Sequence, residues 1–358
     1  MDRSPLLDLQ QAAGARVAER PEAPGLLAPL TFGDVPDEVR AAQQSAALFD
    51  AADRGRVRVL GKDAASFLHR LLANDVHGLG PGAGNRNLLL SPKGKVRFDF
   101  DLAVDEPGFA LGAQPGRAGA LLAALDMYLF NDDVRLSDET AETAPLELAG
   151  PHAAAVAEAV LGAAPPSVPH AFRDLAWGGG RVRATALAVA GGPGLRLDGG
   201  PRLAPELWEA LRAAGATPAG VVARDFARIE RGVALTGVDV SEDVYPEEAG
   251  LMDAFSLTKG CYIGQEVVAK IDTYGGLNKR LLVLRVSHDD PVAAGTRLLL
   301  TEGAEERDLG VVTSWGYSFA LDGGLVLAYV KRRHQEPGTT FRLGDSGATA
   351  TVVAPPAR

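Results

Sequence analysis

The residues best suited by type and spacing to do chemistry lie in one short run, Lys259-Gly260-Cys261-Tyr262-Ile263-Gly264-Gln265-Glu266, which holds the only cysteine of the 358-residue chain. A thiolate is a nucleophile and a metal ligand, whereas free cysteine is among the most buried residue types and is inert when sealed in hydrocarbon. Three local features favour the reactive reading. Gly260 and Gly264 permit backbone turns closed to other residues. The stretch GQEVVAKI starts like a helix, which sets Cys261 near the positive end of a helix dipole, and Lys259 adds a formal positive charge. Both effects favour thiolate over thiol, so an accessible, ionisable sulfur is expected.

A lone cysteine excludes an internal disulfide and a thiolate-only metal site within one chain. The six histidines, His69, His77, His152, His170, His288 and His334, include no i, i+4 pair, so no metal site is expected. A net charge of −10 argues against non-specific binding to nucleic acid or to an anionic membrane, since both need a positive surface. The N-terminal run MDRSPLLDLQQAAGARVAER lacks the continuous apolar core of a secretory signal and mixes acids with arginines. No uncharged apolar stretch reaches the roughly 18 residues of a membrane span. A cytoplasmic protein is the expectation.

The elements that must position the cysteine run follow from pattern. RGRVRVLG alternates basic and apolar residues from Arg54 to Gly61, as a half-buried strand does. Asp63 is placed to cap the next helix, whose Phe67, Leu68, Leu71 and Leu72 form one apolar stripe. In NRNLLLSPKGKVRFDFDLAV two strand-like runs flank Ser91-Pro92-Lys93-Gly94, a turn signal that makes this a hairpin. A helix follows in GRAGALLAALDMYLF and a short strand in DVRLSDE. From 145 to 222 strands and helices alternate again, around Phe172–Trp177, Val182–Ala190, Gly194–Leu197 and the amphipathic APELWEALRAAG. Interleaved strands and helices with a hairpin point to an α+β fold rather than a doubly wound parallel sheet. After Gly275-Gly276 six short strands separated by turn signals read as a small barrel.

The run KGCYIGQE resembles the signature of the folate-binding YgfZ family, relatives of the glycine-cleavage aminomethyltransferase (T-protein, GcvT-like). Its fixed positions, Lys-Gly-Cys-aromatic-x-Gly-Gln-Glu, are met by Lys259, Gly260, Cys261, Tyr262, Gly264, Gln265 and Glu266. LFDAADRGRVRVLGKDAASFLHRLLANDV from Leu48 and RDFARIERGVALTGVDVSEDVYPEEAGL from Arg224 resemble two further blocks of that family. The likeness runs from Ala46 to the end and is weakest over 150–220.

This resemblance implies a three-lobed ring of two α+β lobes and a C-terminal β-barrel around a central channel for tetrahydrofolate or a related reduced folate. The expected domains are an N-terminal arm (1–35), a first α+β lobe (36–145 plus 223–274), a second α+β lobe (146–222) and the barrel (275–358). The transferase branch carries an Asp-Asp pair after the hairpin turn; here Asp99 matches the second acid and Phe98 replaces the first. Its Gly-Tyr-Thr-Gly-Glu stretch has no Glu in the equivalent AVAGGPGLRLDG. A pterin offers adjacent N–H donors that a carboxylate accepts in bidentate fashion, so the acidic equipment of a transferase is incomplete here. Asp99 and Cys261 are the implied catalytic residues. Asp99, Lys259, Tyr262, Gln265, Arg228 and Glu230 are the implied folate contacts.

The resemblance gives as leading function a tetrahydrofolate-binding accessory factor for iron–sulfur cluster assembly or repair, acting through Cys261. Iron–sulfur proteins or their assembly machinery would be its partners. One thiol cannot hold a cluster alone, since typical clusters take about four protein ligands. A folate-dependent aminomethyl or one-carbon transferase is the alternative, and a non-catalytic folate-binding or interaction protein the second alternative. Bland readings stand beside several site residues. Arg228 and Glu230 also suit an internal ion pair, Tyr262 also suits packing beside the loop, and Arg54, Arg56, Lys93, Lys95 and Arg97 also suit solvated surface. Asp239 reads as a turn residue.

Overall fold

A computed structural model describes residues 4–20, 23–302 and 305–353. In chain order its elements begin with α1 (Leu7–Ala12), β1 (Arg16–Arg20), β2 (Ala23–Thr31), α2 (Val35–Gln44), β3 (Ala47–Asp50), β4 (Gly55–Leu60) and α3 (Ala64–Leu71). Next come β5 (Gly84–Leu90), β6 (Val96–Asp105), β7 (Gly108–Ala113), α4 (Ala118–Asp126), β8 (Arg135–Asp138), β9 (Leu146–Ala149) and α5 (Ala153–Leu161). They are followed by β10 (Phe172–Trp177), β11 (Gly180–Val189), β12 (Gly192–Asp198), α6 (Gly200–Ala213), β13 (Thr217–Pro218), α7 (Val221–Glu230) and α8 (Gln265–Tyr274). Six strands complete the chain: β14 (Lys279–Val286), β15 (Arg297–Glu302), β16 (Glu305–Ser318), β17 (Gly323–Lys331), β18 (Thr340–Leu343) and β19 (Thr349–Val352).

Two compact units form. Among the described residues, one comprises those up to 90, 98–224 and 253–263; the other comprises 91–97, 225–252 and those from 264 on. The cysteine loop therefore belongs to the first unit, while α8, expected with the first lobe, groups with the barrel strands.

The first unit holds two large sheets beside the two-stranded β1–β2 pair. One has the order β5-β6-β7-β4-β8. Alternation along its strands sends Val57, Val59, Phe98, Phe100 and Leu102 to one face, where Phe67, Leu68, Leu71 and Leu72 of the α3 region and Leu121 and Leu125 of α4 close a core. The expected stripe on α3 is this packing face. Asp63 does sit at the helix start, but its carboxylate accepts from the Asp133 amide (2.8 Å) and not from a helix amide. The hairpin turn forms as read, with Gly94 N–H donating to the Ser91 carbonyl (2.8 Å).

The second sheet has the order β10-β11-β12-β9-β3-β13, antiparallel apart from the β3–β13 pair. Val156 and Leu161 of α5 and Leu203, Leu207, Trp208 and Leu211 of α6 pack on it. β3 joins this sheet although its residues were expected in the other lobe. Residues expected as an arm fold instead into α1 and the β1–β2 hairpin. The physical reason is burial: Leu6 and Leu7 are inside, and Ser4 Oγ and Gln10 Nε2 both donate to Asp50 (2.6 and 3.0 Å).

In the second unit β14-β17-β16-β15-β18-β19 close a six-stranded barrel filled by Leu284, Val312, Val326, Ala328, Val330 and Phe341. The architecture is α+β with a C-terminal β-barrel. Among the described residues no helix is long and apolar enough to cross a membrane.

Candidate functional site

The cysteine loop is tied to the end of α3 by a reciprocal pair of contacts. Lys259 Nζ donates to the His69 carbonyl, and His69 Nε2 lies 3.1 Å from the Lys259 carbonyl. A cation at the last turn of a helix meets unsatisfied carbonyls and the negative end of the dipole, which explains why a lysine fits there. Ser256 Oγ accepts from the Thr258 and Lys259 amides, and the Ser256 amide donates to the Ala73 carbonyl (2.9 Å). Tyr262 is buried and Ile263 packs on the first core, so the loop is anchored on both sides of Cys261. Cys261 itself is exposed.

Charge and rings crowd the same place. The His69 and His77 rings stack at 4.0 Å and 1°, a pair that i, i+8 spacing hides in the sequence. Asp75 Oδ1 lies 3.3 Å from His69 Nδ1. Burial, helped by the positive Lys259, lowers the His69 pKa from its ordinary value. Burial also brings the Lys259 ammonium down to about 8, against the pull of Asp75 and Cys261. Lys259 Nζ stands 5.3 Å from the centre of the Tyr262 ring. The arrangement sets a reachable thiol two residues from an amine that is partly neutral near physiological pH. Among the described residues no group of three or more His, Cys, Asp or Glu side chains is placed to hold a metal ion.

The two glycines of the motif have separate reasons. Gly260 takes φ +103° with open space around it. Gly264, the residue before α8, takes φ +82°, and a Cβ there would lie 2.6 Å from the Ser91 carbonyl oxygen and 2.9 Å from Gly94 Cα. Its lack of a side chain lets α8 approach the hairpin turn backbone to backbone. Gln265 and Glu266 form the first turn of α8, with Glu266 Oε2 4.0 Å from Lys270 Nζ.

Asp99 projects from β6 on the face opposite the apolar core, while Phe98 points into that core. Arg86 of β5 clamps it through Nε–Oδ1 (2.9 Å) and Nη2–Oδ2 (2.7 Å). Burial alone would lower the Arg86 pKa; the Asp99 charge outweighs it and holds the guanidinium above its ordinary value. Asp253, in the segment leading to the cysteine loop, lies 3.6 Å from Arg86 Nη1.

Farther along the same face is a charged cluster that includes Arg54 and Arg56, for which the sequence also allows solvated surface. Arg196 of β12 reaches Asp101 through Nη1 (2.9 Å) and Glu147 through Nη2 (2.9 Å). Arg54 lies 3.6 Å from Asp101, and Arg224 donates to Glu147. At the far end Arg56, Arg58 and Arg183 all converge on Asp105. Burial first, and the neighbouring Arg196 second, lower the Arg54 pKa to about 10. Burial would raise the Asp101 carboxyl, but Arg196, Arg54 and His170 outweigh it and hold the group at about 2. The two sheets of this unit thus face each other through interlocked arginines and carboxylates. The available signal was Asp99, Asp101 and Asp105 at even spacing, matched by Arg54, Arg56 and Arg58.

The remaining predicted contacts lie in the other unit. Arg228 is buried and pairs with Asp225 (2.7 Å) and Asp239 (2.7 Å), and donates to the Val233 carbonyl (3.0 Å) and to Ser314 Oγ (3.1 Å). Asp239 also accepts from the Leu235 amide and from Thr313 and Ser314 hydroxyls, so it is a buried anchor and not a simple turn residue. Glu230 does not pair with Arg228. Its Oε2 is buried and has no hydrogen-bond partner among the described residues, the condition of an acceptor that a ligand N–H would satisfy.

Residues 6–259 match the GCVT N-terminal domain family, and residues 279–357 match the glycine cleavage T-protein C-terminal barrel domain. An aminomethyltransferase of Rubrobacter xylanophilus is 33% identical over 337 residues, spanning 92% of this chain and 87% of that protein. One from Saccharopolyspora erythraea is 27% identical over 358 residues, spanning 98% and 95%. The crystal structure of the glycine cleavage system aminomethyltransferase T from Bartonella henselae matches with a TM-score of 0.86 at 26% identity, covering 99% of this chain and 97% of that one. A domain match over most of the chain, a barrel match over the rest and a relative one-third identical along nearly its whole length place the chain in the glycine-cleavage T-protein (GCVT) family.

Proposed function

We propose that the protein binds a reduced folate, tetrahydrofolate or a close relative, and acts as a folate-dependent one-carbon transferase of the aminomethyl type. The observation that carries this reading is the likeness to aminomethyltransferases along nearly the entire chain, barrel included. The orphaned Glu230 Oε2 fits a ligand bearing N–H donors. Bound folate would supply the nitrogen that takes up the one-carbon unit. Asp99 is the acid the family resemblance implies for the reaction, and its bidentate clamp to Arg86 would fix its position.

A second reading is favoured by a different observation. Cys261 is exposed on an anchored loop, inside the run that resembles the YgfZ signature. On that reading the protein is a folate-binding accessory factor for iron–sulfur cluster assembly or repair, with a partner protein supplying the further ligands a cluster needs.

One experiment separates them. Methylene-tetrahydrofolate formation from an aminomethyl donor is measured for wild type, Cys261→Ala and Asp99→Asn. Turnover that persists without the cysteine and fails with Asp99→Asn supports the transferase. Absence of turnover in wild type removes it. If wild type then restores iron–sulfur enzyme activity in a deletion strain and Cys261→Ala does not, the accessory reading stands.

A further inference from the structure

Glu247 lies in the loop between the hairpin-turn segment and the barrel strands, and its side chain is 8% exposed. Neither carboxylate oxygen has a hydrogen-bond partner among the described residues; the residue's own amide leans towards the group and offsets burial only in part. Its charged neighbours are of the wrong sign or already engaged. Glu248 follows it in the loop and Asp272 faces it from α8. Lys95, just before β6, is the main opposing charge on it, and that ammonium already donates to the Asp243 carbonyl (2.9 Å) and sits 3.1 Å from the centre of the Tyr245 ring. Lys279 of β14 acts on Lys95 in turn and disfavours its charge.

A buried carboxylate without donors is costly when ionised and inexpensive when protonated. Burial first, with Glu248 and Asp272 adding to it, pushes the Glu247 carboxyl up to about 7. The loop it occupies has two attachments within the same unit: Val96 N–H donates to the Val244 carbonyl (3.0 Å), and Leu281 N–H donates to the Glu248 carbonyl (2.8 Å). These bonds tie the loop to the first residue of β6 and to the third residue of β14.

We propose that Glu247 is a proton-operated latch: protonated, it lets the 241–251 loop stay packed on β6 and β14, and ionised, it releases those two attachments. The sign follows from linkage. A carboxyl whose folded value is raised favours the packed state at low pH and loses that support as pH rises through the folded value. The latch operates whichever ligand the protein binds.

The test is amide hydrogen exchange at Val96 and Leu281 in the full chain, corrected for intrinsic rates, together with a ¹³C titration of the Glu247 carboxyl. Wild type is expected to lose about tenfold protection at both amides between pH 6 and pH 8. Glu247→Gln, which mimics the protonated form, is expected to keep its protection throughout. Asp272→Asn removes a neighbouring negative charge and should shift the wild-type loss to lower pH. Equal loss in wild type and Glu247→Gln would overturn the latch, as would a Glu247 carboxyl that titrates near 4.5.

Discussion

Arg86 and Asp99, neighbours across β5 and β6, form a bidentate clamp in which both carboxylate oxygens accept guanidinium N–H groups at 2.9 and 2.7 Å. The acid that the sequence singles out for chemistry is therefore covered by a cation. Its side chain is 3% exposed, whereas the arginine keeps 24%.

Breaking this clamp from the arginine side strands a buried charge. Arg86→Gln is expected to lower unfolding free energy by about 3 kcal/mol, and adding Asp99→Asn should restore a large part of it. Urea denaturation of the two single variants and the double variant measures the coupling. Additive losses would show that the pair does not act as a unit.

Low pH attacks the arginine–carboxylate seam. The carboxyls of Asp101 and Asp105 are both held at about 2, because flanking arginines outweigh burial. A depressed carboxyl contributes stability above its unfolded value, lost as pH falls towards the folded one. Each should contribute about 2 kcal/mol at pH 6 that disappears between roughly pH 4 and pH 2. Asp101→Asn should narrow the stability gap to wild type over that window, as read by thermal melts at fixed ionic strength.

Lys259 carries a distinctive amine. With its ammonium brought down to about 8 by burial, its acylation by acetic anhydride should rise with a midpoint near pH 8, where ordinary lysines remain protonated. Competitive labelling read by peptide mass spectrometry checks this. A midpoint near 10.5 would mean the amine is well solvated.

The exposed thiol makes a contrasting prediction. Cys261→Ala removes no buried contact and should change stability by less than about 0.5 kcal/mol. In the folded wild type the thiol should react with maleimide at a rate close to that in denaturant. Asp239→Ala, by contrast, removes one of the two carboxylates paired with buried Arg228 and the acceptor of the Leu235 amide and the Thr313 and Ser314 hydroxyls, and should cost about 3 kcal/mol.

Local signals in the sequence were sufficient where local physics decides. The Ser91–Gly94 hairpin, the α3 stripe, the strands around β10 to β12 and the six barrel strands all lie where turn residues and periodicity put them. The sequence leaves solvated surface open for Arg54 and Arg56 because alternation of charged and apolar residues looks the same whether the charged face meets water or a second charged sheet. Asp239 was read as a turn residue because its partners, Arg228, Thr313 and Ser314, come from distant positions. Gly264 reads in the sequence as a glycine that frees a turn, and the close approach it also serves, to the backbone of the hairpin turn, comes from residues far back in the chain. The stacked His69–His77 pair likewise depends on a chain reversal that no short window contains.

The charged seam between the two sheets of the first unit has a consequence for how that unit can open. Each sheet keeps most of its hydrocarbon on its outer side, under its own helices, so parting the inner faces would wet mainly guanidinium and carboxylate groups, with the Phe49 ring beneath Arg224 beside them. Such a boundary resists dehydration more than hydration. Added salt, which weakens ion pairs, would ease the sheets apart while leaving both oily cores dry.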